Sequence, residues 1–548
     1  MRSYMTNRSA ILRSLCLLLL GSSCTFAALQ AQDAKYRLEI KSDLIADPDE
    51  NPAISKIVKG DVGTVVALKT NGQLRALGGI LQGKIGWSLA TYNRADMKLL
   101  KKDAPKIVFG TTPVALETIE HFGGQLRLLA TQPDPANGKL LFIQQVISPR
   151  SLTGKGAQLL HTLPYDRLGK PTDYFASNTP VGFGTVIGVD STKMLIHLTP
   201  DLTTRSAGCP IFAMAFNKDM QLLWQNSLQL DPKARGIQIL ATRVDKNGSA
   251  WYLLKNIHDP EPQNPGEVGY EIVLYKLDSL GQTFVKVDPP GSDYATDARI
   301  ELLPDGRVAC AGVYSAPDYN RSEAVGLFYS VLDPQTADAT RGMQWGSWHL
   351  NEFQKVADKK KGAVLQKNVA MVRLITRRDG GVEMIAENNG LETYMSSSLA
   401  GKPVEKTSWT HGDIHVMRLN ATGTPLFYSV VVRKLYHEVN EPGGVIAISY
   451  TDNLLLLFND DKGDFEKRKE GAPIDRVATT RDAMWLEFKG DGTYKHKVVI
   501  NDGYDHGLIS PPFVWPITPS LTALLASPTF GGSKTFPVCV QFSTLTKR

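Results

Sequence analysis

Short apolar runs alternate with polar residues along most of the chain, and the alternation has a period of two residues. Beyond residue 31, no stretch keeps the 3.6-residue period of an amphipathic helix. Turn-forming dipeptides separate many of these runs: Asn71-Gly72, Gly123-Gly124, Asn247-Gly248, Asp305-Gly306 and Asp379-Gly380. Such dipeptides accept the positive φ of tight hairpins. The pattern therefore predicts many short antiparallel strands.

The hairpins recur in pairs. When the second hairpins are aligned on their turns, Leu277, Leu419 and Phe216 coincide, and apolar residues two and four positions earlier coincide as well. One strand face is thus buried in each copy. The four-strand unit recurs roughly every 50 to 75 residues, as in repeat folds. Its first strands are expected to begin near Val62, Pro113, Phe183, Gly236, Ala298, Val369, Val445 and Phe513.

A repeated four-stranded unit is typical of a β-propeller. We predict an all-β propeller of about eight four-stranded blades, with seven blades or two stacked sandwiches as alternatives. The last unit ends after three strands, whereas residues 36–44 (YRLEIKSDL) form a strand without a local partner. We expect this N-terminal strand to complete the last blade and close the ring.

Three second hairpins carry a resemblance to known proteins. The segments KLDSLGQTFVKV, RLNATGTPLFYSV and NKDMQLLWQNSL resemble the repeat of secreted bacterial β-propellers, in which a turn containing Gly precedes an aromatic outer strand. The resemblance covers residues 210–435 best. It implies a propeller fold, and no catalytic residues can be carried over from it.

The N-terminus has the parts of an export signal. Arg2, Arg8 and Arg13 precede a short apolar run, and small residues follow as far as Ala31. We expect residues 1–31 to be a signal peptide and residues 32–548 to be one propeller domain. Lipoprotein anchoring at Cys24 is the alternative. No later segment is long and apolar enough for a transmembrane helix, so the expected location is periplasmic or extracellular.

Charge and cysteine content argue against several classes of function. Removing three arginines and no acidic residue lowers the formal charge from +6 to +3, which argues against a nucleic-acid surface. The remaining Cys209, Cys310 and Cys539 are too few for a disulfide framework, and Cys310 and Cys539 fit small core residues. No CxxC or Cys/His spacing predicts a zinc site, and no P-loop or dinucleotide fingerprint predicts a cofactor.

Loop length differs between the two faces expected of the propeller. Connections from second to third strands and crossovers between blades are long and polar, whereas the other turns are short. We define the first set as the long-loop face and the second as the short-turn face. Function concentrates where a rigid scaffold presents long loops. Candidate ligand-binding residues in this set are His258, Asp259, Glu261, Tyr319, Arg321, Tyr394, Trp409, His411, Tyr504, Asp505 and His506.

The segment HGDIH at residues 411–415 has histidines and an aspartate on alternate strand positions, a spacing that could ligate a metal. However, His415 aligns with the buried positions Val273 and Phe212. We therefore interpret His415 as a packed histidine.

These features predict a monomeric, non-enzymatic scaffold that binds a protein, peptide or glycan through its long-loop face. The alternative is a hydrolase or lyase with carboxylates and histidines at the mouth of the central channel. Two or more ionisable groups from different blades within about 3 to 6 Å of one another at the channel mouth would favour the enzyme. A broad aromatic, weakly charged surface there would favour binding.

Overall fold

The chain folds as a β-propeller, and strand pairing defines its blades. The computed structural model describes residues 36–42, 53–70, 86–164, 182–199, 210–259, 268–289, 293–317, 323–333, 339–346, 350, 366–397, 403–433, 435–437, 444–450, 453–469, 482–500, 508–518, 521–527 and 536–544. Blades are numbered here in chain order.

Blades 1 to 4 occupy the first half of the chain. After β1 (Tyr36–Ser42), blade 1 consists of β2 (Ala53–Lys59), β3 (Thr64–Thr70), β4 (Trp87–Asn93) and β5 (Leu99–Asp103). The short pair β6 (Val108–Phe109) and β7 (Thr112–Pro113) leads to blade 2, which has β8 (Ala115–Phe122), β9 (Gln125–Asp134), β10 (Lys139–Ile147) and β11 (Gln158–Pro164). Blade 3 has β12 (Gly182–Ile187), β13 (Lys193–Thr199), β14 (Ile211–Asn217) and β15 (Leu222–Leu228). Blade 4 has β16 (Gly236–Val244), β17 (Ala250–Ile257), β18 (Tyr270–Asp278) and β19 (Gly281–Lys286).

Blades 5 to 8 complete the ring. Blade 5 has β20 (Tyr294–Leu302), β21 (Val308–Ser315), β23 (Gly326–Leu332) and β24 (Ala339–Gly346), and β22 (Glu323–Ala324) pairs with β25 (Gln366–Lys367) beside it. Blade 6 has β26 (Val369–Thr376), β27 (Val382–Ser397), β28 (Pro403–Leu419), β29 (Pro425–Val431) and a fifth strand, β30 (Leu435–His437). Blade 7 has β31 (Ile446–Tyr450), β32 (Asn453–Asp460), β33 (Asp482–Phe488) and β34 (Tyr494–Ile500), with helix α1 (Lys462–Lys469) between its middle strands. Blade 8 joins β35 (Leu508–Thr518), β36 (Leu521–Ser527) and β37 (Phe536–Thr544) to β1.

The predicted all-β propeller of four-stranded blades is confirmed. Among the described residues, seven blades have four strands, blade 6 has a fifth strand, and the paired strands within the blades are antiparallel. The predicted closure is also present, because β1 pairs with β37 from Tyr36 opposite Thr544 to Ser42 opposite Val538. The first unit, however, begins one strand earlier than expected. Val62 lies in the turn between β2 and β3, where 87% of its surface is exposed.

The hydrophobic core lies between neighbouring blades rather than at one centre. Separate clusters join blades 1 and 2, 2 and 3, 3 and 4, 4 and 5, 5 and 6, and 6 and 7. Ala523 of blade 8 packs against blade 1. Asn459 of blade 7 donates to Ile509 O at 2.7 Å and accepts from Ile509 N at 2.9 Å, which ties blades 7 and 8 together. The aligned residues Leu277, Leu419 and Phe216 are fully buried in this core, as predicted.

Side-chain acceptors stabilise the repeated turns. Asp245 Oδ1 accepts the amides of Asn247 and Ser249, both at 2.9 Å. Asn420 Oδ1 accepts the amides of Thr422 and Thr424, at 3.0 and 2.8 Å. Such local bonds favour a turn over a continued strand. At Gly248 the φ is 89°, which explains the glycine at this position.

A β-bulge recurs in the first strands, and the sequence pattern did not reveal it. The pairing register shifts within the first strands of blades 1, 2, 4, 5 and 6. First strands contact each other around much of the ring, for example β2 with β8 and β16 with β20. They therefore lie innermost. Bulges re-aim side chains locally, and here they precede ionisable residues such as Lys56 and Arg373.

The long connections lie mainly on one face, as expected. Because strand direction alternates, second-to-third connections and crossovers share a face, on which the facing ends of β3 and β4, of β13 and β14, and of β17 and β18 lie. Blade 2 departs from the pattern, because its second-to-third connection is the short segment 135–138 and its third-to-fourth connection is the longer segment 148–157. In blade 6 the second-to-third connection is short as well, because β27 extends to Ser397 and β28 begins at Pro403.

Candidate ligand and metal site on the long-loop face

Three ionisable side chains from separate segments meet on the long-loop face of blade 4. Asp231 comes from the crossover between blades 3 and 4, His258 follows β17, and Glu271 is near the start of β18. His258 Nε2 lies 3.7 Å from Asp231 Oδ2 and 3.6 Å from Glu271 Oε1. One ligand atom from each residue lies within 4.8 Å of the others. We call these residues the blade 4 triad.

Local structure fixes the positions of the triad. Asp231 Oδ1 accepts the amide of Lys233 at 2.8 Å, which orients the carboxylate in a tight turn. The amides of His258 and Asp259 both donate to Gly269 O at 2.8 Å. This pair of bonds holds the loop start beside β18. The backbone therefore presents three side chains that remain partly exposed.

The triad has the chemistry of a divalent metal site. Zinc and similar ions bind imidazole nitrogen and carboxylate oxygen at about 2.0–2.2 Å, so two ligands of one ion lie about 3–4 Å apart. The separations around His258 fall in that range. Two carboxylates and one imidazole could hold an ion and leave further positions for a ligand. The expectation of no metal site did not anticipate this arrangement.

A cleft adjoins the triad. It has a volume of about 340 Å³, and its lining includes Asp231, Glu271, Tyr275 and Phe284. The rings of Tyr275 and Phe284 are 5.7 Å apart, and 66% of Phe284 is exposed. Burial raises the pKa of Tyr275, and the negative charges of Asp231 and Glu271 raise it further. The phenol therefore stays protonated and can act as a hydrogen-bond donor.

Of the other candidates from the sequence, several lie outside the described residues: Glu261, Tyr319, Arg321, Tyr504, Asp505 and His506. Asp259 is adjacent to the triad but does not belong to it. Tyr394 and Trp409 lie in blade 6, in a long hairpin where β27 and β28 pair as far as Ser397 opposite Pro403. The segment that the sequence suggested to be a long loop is therefore mostly an extended ribbon.

His411 is also in blade 6, but it is buried, with 1% of its surface exposed. Its Nδ1 lies 3.1 Å from Glu387 Oε1 and accepts the amide of Gly444 at 3.1 Å. Arg433 bonds the same Glu387 carboxylate and donates to Gly444 O at 3.1 Å. This network braces the end of blade 6 and removes His411 from the surface.

His415 is packed in the core, as the sequence alignment predicted. It is 3% exposed, and its Nδ1 lies 2.6 Å from the hydroxyl oxygen of Tyr428. Burial lowers the pKa of His415 to about 4. Cys310 likewise behaves as a core residue, since it is fully buried and burial raises the pKa of its thiol to about 12.

The first strands also bring opposite charges together across blades. Lys56 of blade 1 pairs with Glu120 of blade 2, and Thr185 of blade 3 bonds the same carboxylate. Arg243 of blade 4 pairs with Glu301 of blade 5 at 3.0 Å. These pairs meet the distance criterion stated above for the enzyme alternative. Each of these carboxylates has a cationic partner, however, unlike the paired carboxylates of a glycosidase.

Comparisons with known proteins give only distant structural similarity. No protein-family model matches the chain, and no curated protein matches it. Among solved structures, the β-propeller domain of the Trilobed protease from Pyrococcus furiosus is similar at 10% identity and a TM-score of 0.33, over 83% of this chain and 97% of that chain. The polysaccharide lyase Uly1 is similar at 10% identity and a TM-score of 0.36, over 80% and 92%. An acylaminoacyl peptidase is similar at 10% identity and a TM-score of 0.33, over 88% and 58%.

Proposed function

We propose that the protein is an exported propeller that binds a peptide, protein or glycan partner through its long-loop face. The blade 4 cleft is its binding site. The observation that carries the proposal is a cleft that is lined by two triad carboxylates, Asp231 and Glu271, and by the exposed ring of Phe284, and that adjoins His258 at the face with the longer connections. Exposed aromatic side chains beside polar groups are typical of binding sites.

The cleft suits part of an extended ligand. Its volume of about 340 Å³ is at the small end of ligand pockets, so one peptide side chain or one sugar ring would fill it. Phe284 would stack against the flat face of that group. The triad would bind polar groups of the ligand, directly or through a divalent ion.

A binding panel with matched variants tests this proposal. Purified protein is titrated with immobilised glycans and peptides, with and without EDTA. Phe284→Ala should weaken binding at least about tenfold, equivalent to 1.4 kcal/mol. Leu280→Ala is the control, because Leu280 is 95% exposed at the tip of the same hairpin and is not among the residues that line the cleft. Equal affinity in both variants would contradict the assignment of this cleft.

If the protein converts a glycan or peptide of the same panel into a product, it is an enzyme and the non-enzymatic proposal is wrong. Loss of that turnover in a His258→Ala variant would then place the chemistry at the triad. Ligand binding without turnover supports the scaffold proposal.

Export belongs to the proposal and has its own test. We expect secretion to remove residues 1–31, so the mature chain would begin at Gln32 and act as a monomer. Mass spectrometry of the protein from an expressing cell envelope distinguishes this product from a chain lipidated at Cys24. Within the described part of the chain, no helix combines the length and apolarity that a bilayer crossing requires.

A further inference from the structure

A second pocket lies at the short-turn end of blades 6, 7 and 8. The first strands β26, β31 and β35 line it, together with the start of β36. Its volume is about 280 Å³. Because first strands are innermost, the pocket belongs to the wall of the central channel. It lies on the opposite face from the blade 4 triad.

Three arginines give the pocket its chemistry. Arg373 comes from β26 immediately after its bulge, and Arg377 and Arg378 come from the following turn. Only 9% of the Arg377 side chain is exposed, whereas Arg373 and Arg378 reach solvent. Ser449 and Tyr450 of β31 add hydroxyl groups to the lining.

The positive charge exceeds the negative charge at this place. No carboxylate is among the described residues that line the pocket. Nearby carboxylates already have cationic partners: Asp379 accepts from Arg377 at 2.8 Å, Glu383 pairs with Arg418, and Glu301 pairs with Arg243. Asp379 and Glu383 offset the charge of Arg377, and Glu301 offsets that of Arg373, but Glu383 and Glu301 are shared with Arg418 and Arg243. Clustered like charges raise the free energy of the folded protein unless an anion binds them.

Arg373 shows the effect of this environment. Desolvation by the surrounding protein lowers the pKa of Arg373 even though part of the side chain reaches solvent, Glu301 raises it, and the like charge of Arg243 lowers it again. Arginine stays protonated even so. The carboxylate that offsets the charge of Arg373, Glu301, is not among the residues that line the pocket.

We propose that this pocket binds a small organic anion through a carboxylate or phosphate group. Guanidinium groups recognise such oxyanions through paired, charge-assisted hydrogen bonds. Ile375, Ala447 and Val514 line the pocket as well, and they offer an apolar surface to the carbon skeleton of the ligand. The volume fits a molecule of the size of one sugar acid. This proposal is independent of the function proposed for the blade 4 cleft.

Calorimetry and thermal unfolding of the full mature chain test the proposal. The probes are glucuronate, citrate, glucose 6-phosphate, inorganic phosphate and sodium chloride, all at matched ionic strength. We expect an organic anion to bind and to raise the unfolding midpoint, whereas chloride does neither. Arg378→Ala and Arg373→Ala should each weaken binding at least tenfold. Higher salt should weaken binding as well.

Arg307→Ala is the matched control. Arg307 is in the corresponding turn of blade 5 and pairs with Asp305, but it does not line the pocket. Its loss should leave anion binding unchanged. Arg378 is exposed, so its variant should keep the unfolding midpoint of the ligand-free protein. Arg378→Lys keeps the charge and should bind with intermediate affinity, because it loses the paired hydrogen bonds.

Two results would overturn the proposal. One is equal anion affinity in the wild type and both alanine variants, which would place any binding elsewhere. The other is inorganic phosphate binding as tightly as every organic anion, which would remove the role of the apolar wall. Failure of Phe284→Ala to change partner binding would leave this proposal unaffected, because the two pockets are on opposite faces.

Discussion

The blade 4 cleft and the arginine pocket of blades 6 to 8 present opposite charges in opposite settings. The triad residues Asp231 and His258 belong to connections and are partly exposed. The arginine pocket is built on first strands and the turn that follows one of them, against the channel wall. Connecting segments thus supply ionisable side chains at the surface, where water screens their charges. First strands place charged side chains inside the ring, where carboxylates of neighbouring strands offset part of the charge.

The largest expected difference between the two regions is in stability. Glu383 and Arg418 are 1% and 2% exposed next to the arginine pocket, and burial raises the pKa of Glu383. Glu383→Ala leaves the buried guanidinium without this carboxylate and should lower the unfolding free energy by about 3–5 kcal/mol. Glu271→Ala at the cleft should cost less than about 1 kcal/mol, since Glu271 is 33% exposed. Urea unfolding of both variants measures this. Similar losses would erase the distinction between the two settings.

A second difference should emerge with pH. Burial lowers the pKa of His197 in blade 3 and of His415 in blade 6 to about 4, from 6.5. The unfolded chain binds a proton at each histidine below pH 6.5, whereas the folded protein binds it only near pH 4. Unfolding free energy should therefore fall as pH decreases through that window, by up to about 1.4 kcal/mol per pH unit for each histidine.

His415→Gln should reduce the slope of unfolding free energy against pH by the contribution of one histidine, and His197→Gln should reduce it by the same amount. Urea unfolding at pH 7, 6 and 5 gives the slopes. If either variant keeps the wild-type slope, that histidine is not buried in its neutral form. A difference between the slopes of the two variants would show which of the two histidines contributes more to the loss of unfolding free energy in acid.

Metal affinity distinguishes the two regions next. We expect Zn²⁺ to bind the blade 4 triad and His258→Ala to weaken this binding at least about tenfold, or 1.4 kcal/mol. His496→Gln is the control, since His496 pairs with Glu466 at 2.5 Å but does not belong to a three-ligand group among the described residues. Calorimetric titration with zinc chloride measures both. Equal affinities would exclude the triad as the zinc site.

The smallest expected effect concerns the turns that support each region. Asp245 in blade 4 and Asn420 in blade 6 each accept two backbone amides of their own turn. Replacing either with alanine should cost about 1 kcal/mol. Asp245 should cost slightly more, because Trp251 Nε1 also donates to it at 3.2 Å. Thermal unfolding of the two alanine variants measures this difference. If one variant loses much more stability than the other, blades 4 and 6 themselves differ in stability.

The sequence was sufficient for the fold because the repeat is local. Period-two burial and turn dipeptides depend on neighbouring residues, so the positions of Leu277 and Leu419 in the core could be predicted from alignment alone. The first strand of blade 1 was missed, since the turn at Val62 has an apolar residue exposed to solvent. The fifth strand of blade 6 and the recurrent bulges depend on pairing geometry, which composition does not encode.

The sites were harder to predict because their members come from different segments. His258 was identified, but Asp231 and Glu271 come from a crossover and from the next strand. Their approach becomes evident only in the folded ring. His411 has the residue type of a surface ligand, yet its register places it inside blade 6. The arginines before the Asp379-Gly380 turn gave no sign of a pocket in the sequence, because distant residues of blades 7 and 8 complete its lining.

The pairing of β1 with β37 has a consequence for biogenesis. β1 and β37 are the first and last strands of the described chain, so β1 has no partner until Phe536–Thr544 has been synthesised. Blade 8 therefore cannot be completed before β37 is available. Under the export proposed above, this late pairing would leave the ring open during translocation and delay its closure until the whole chain has crossed the membrane.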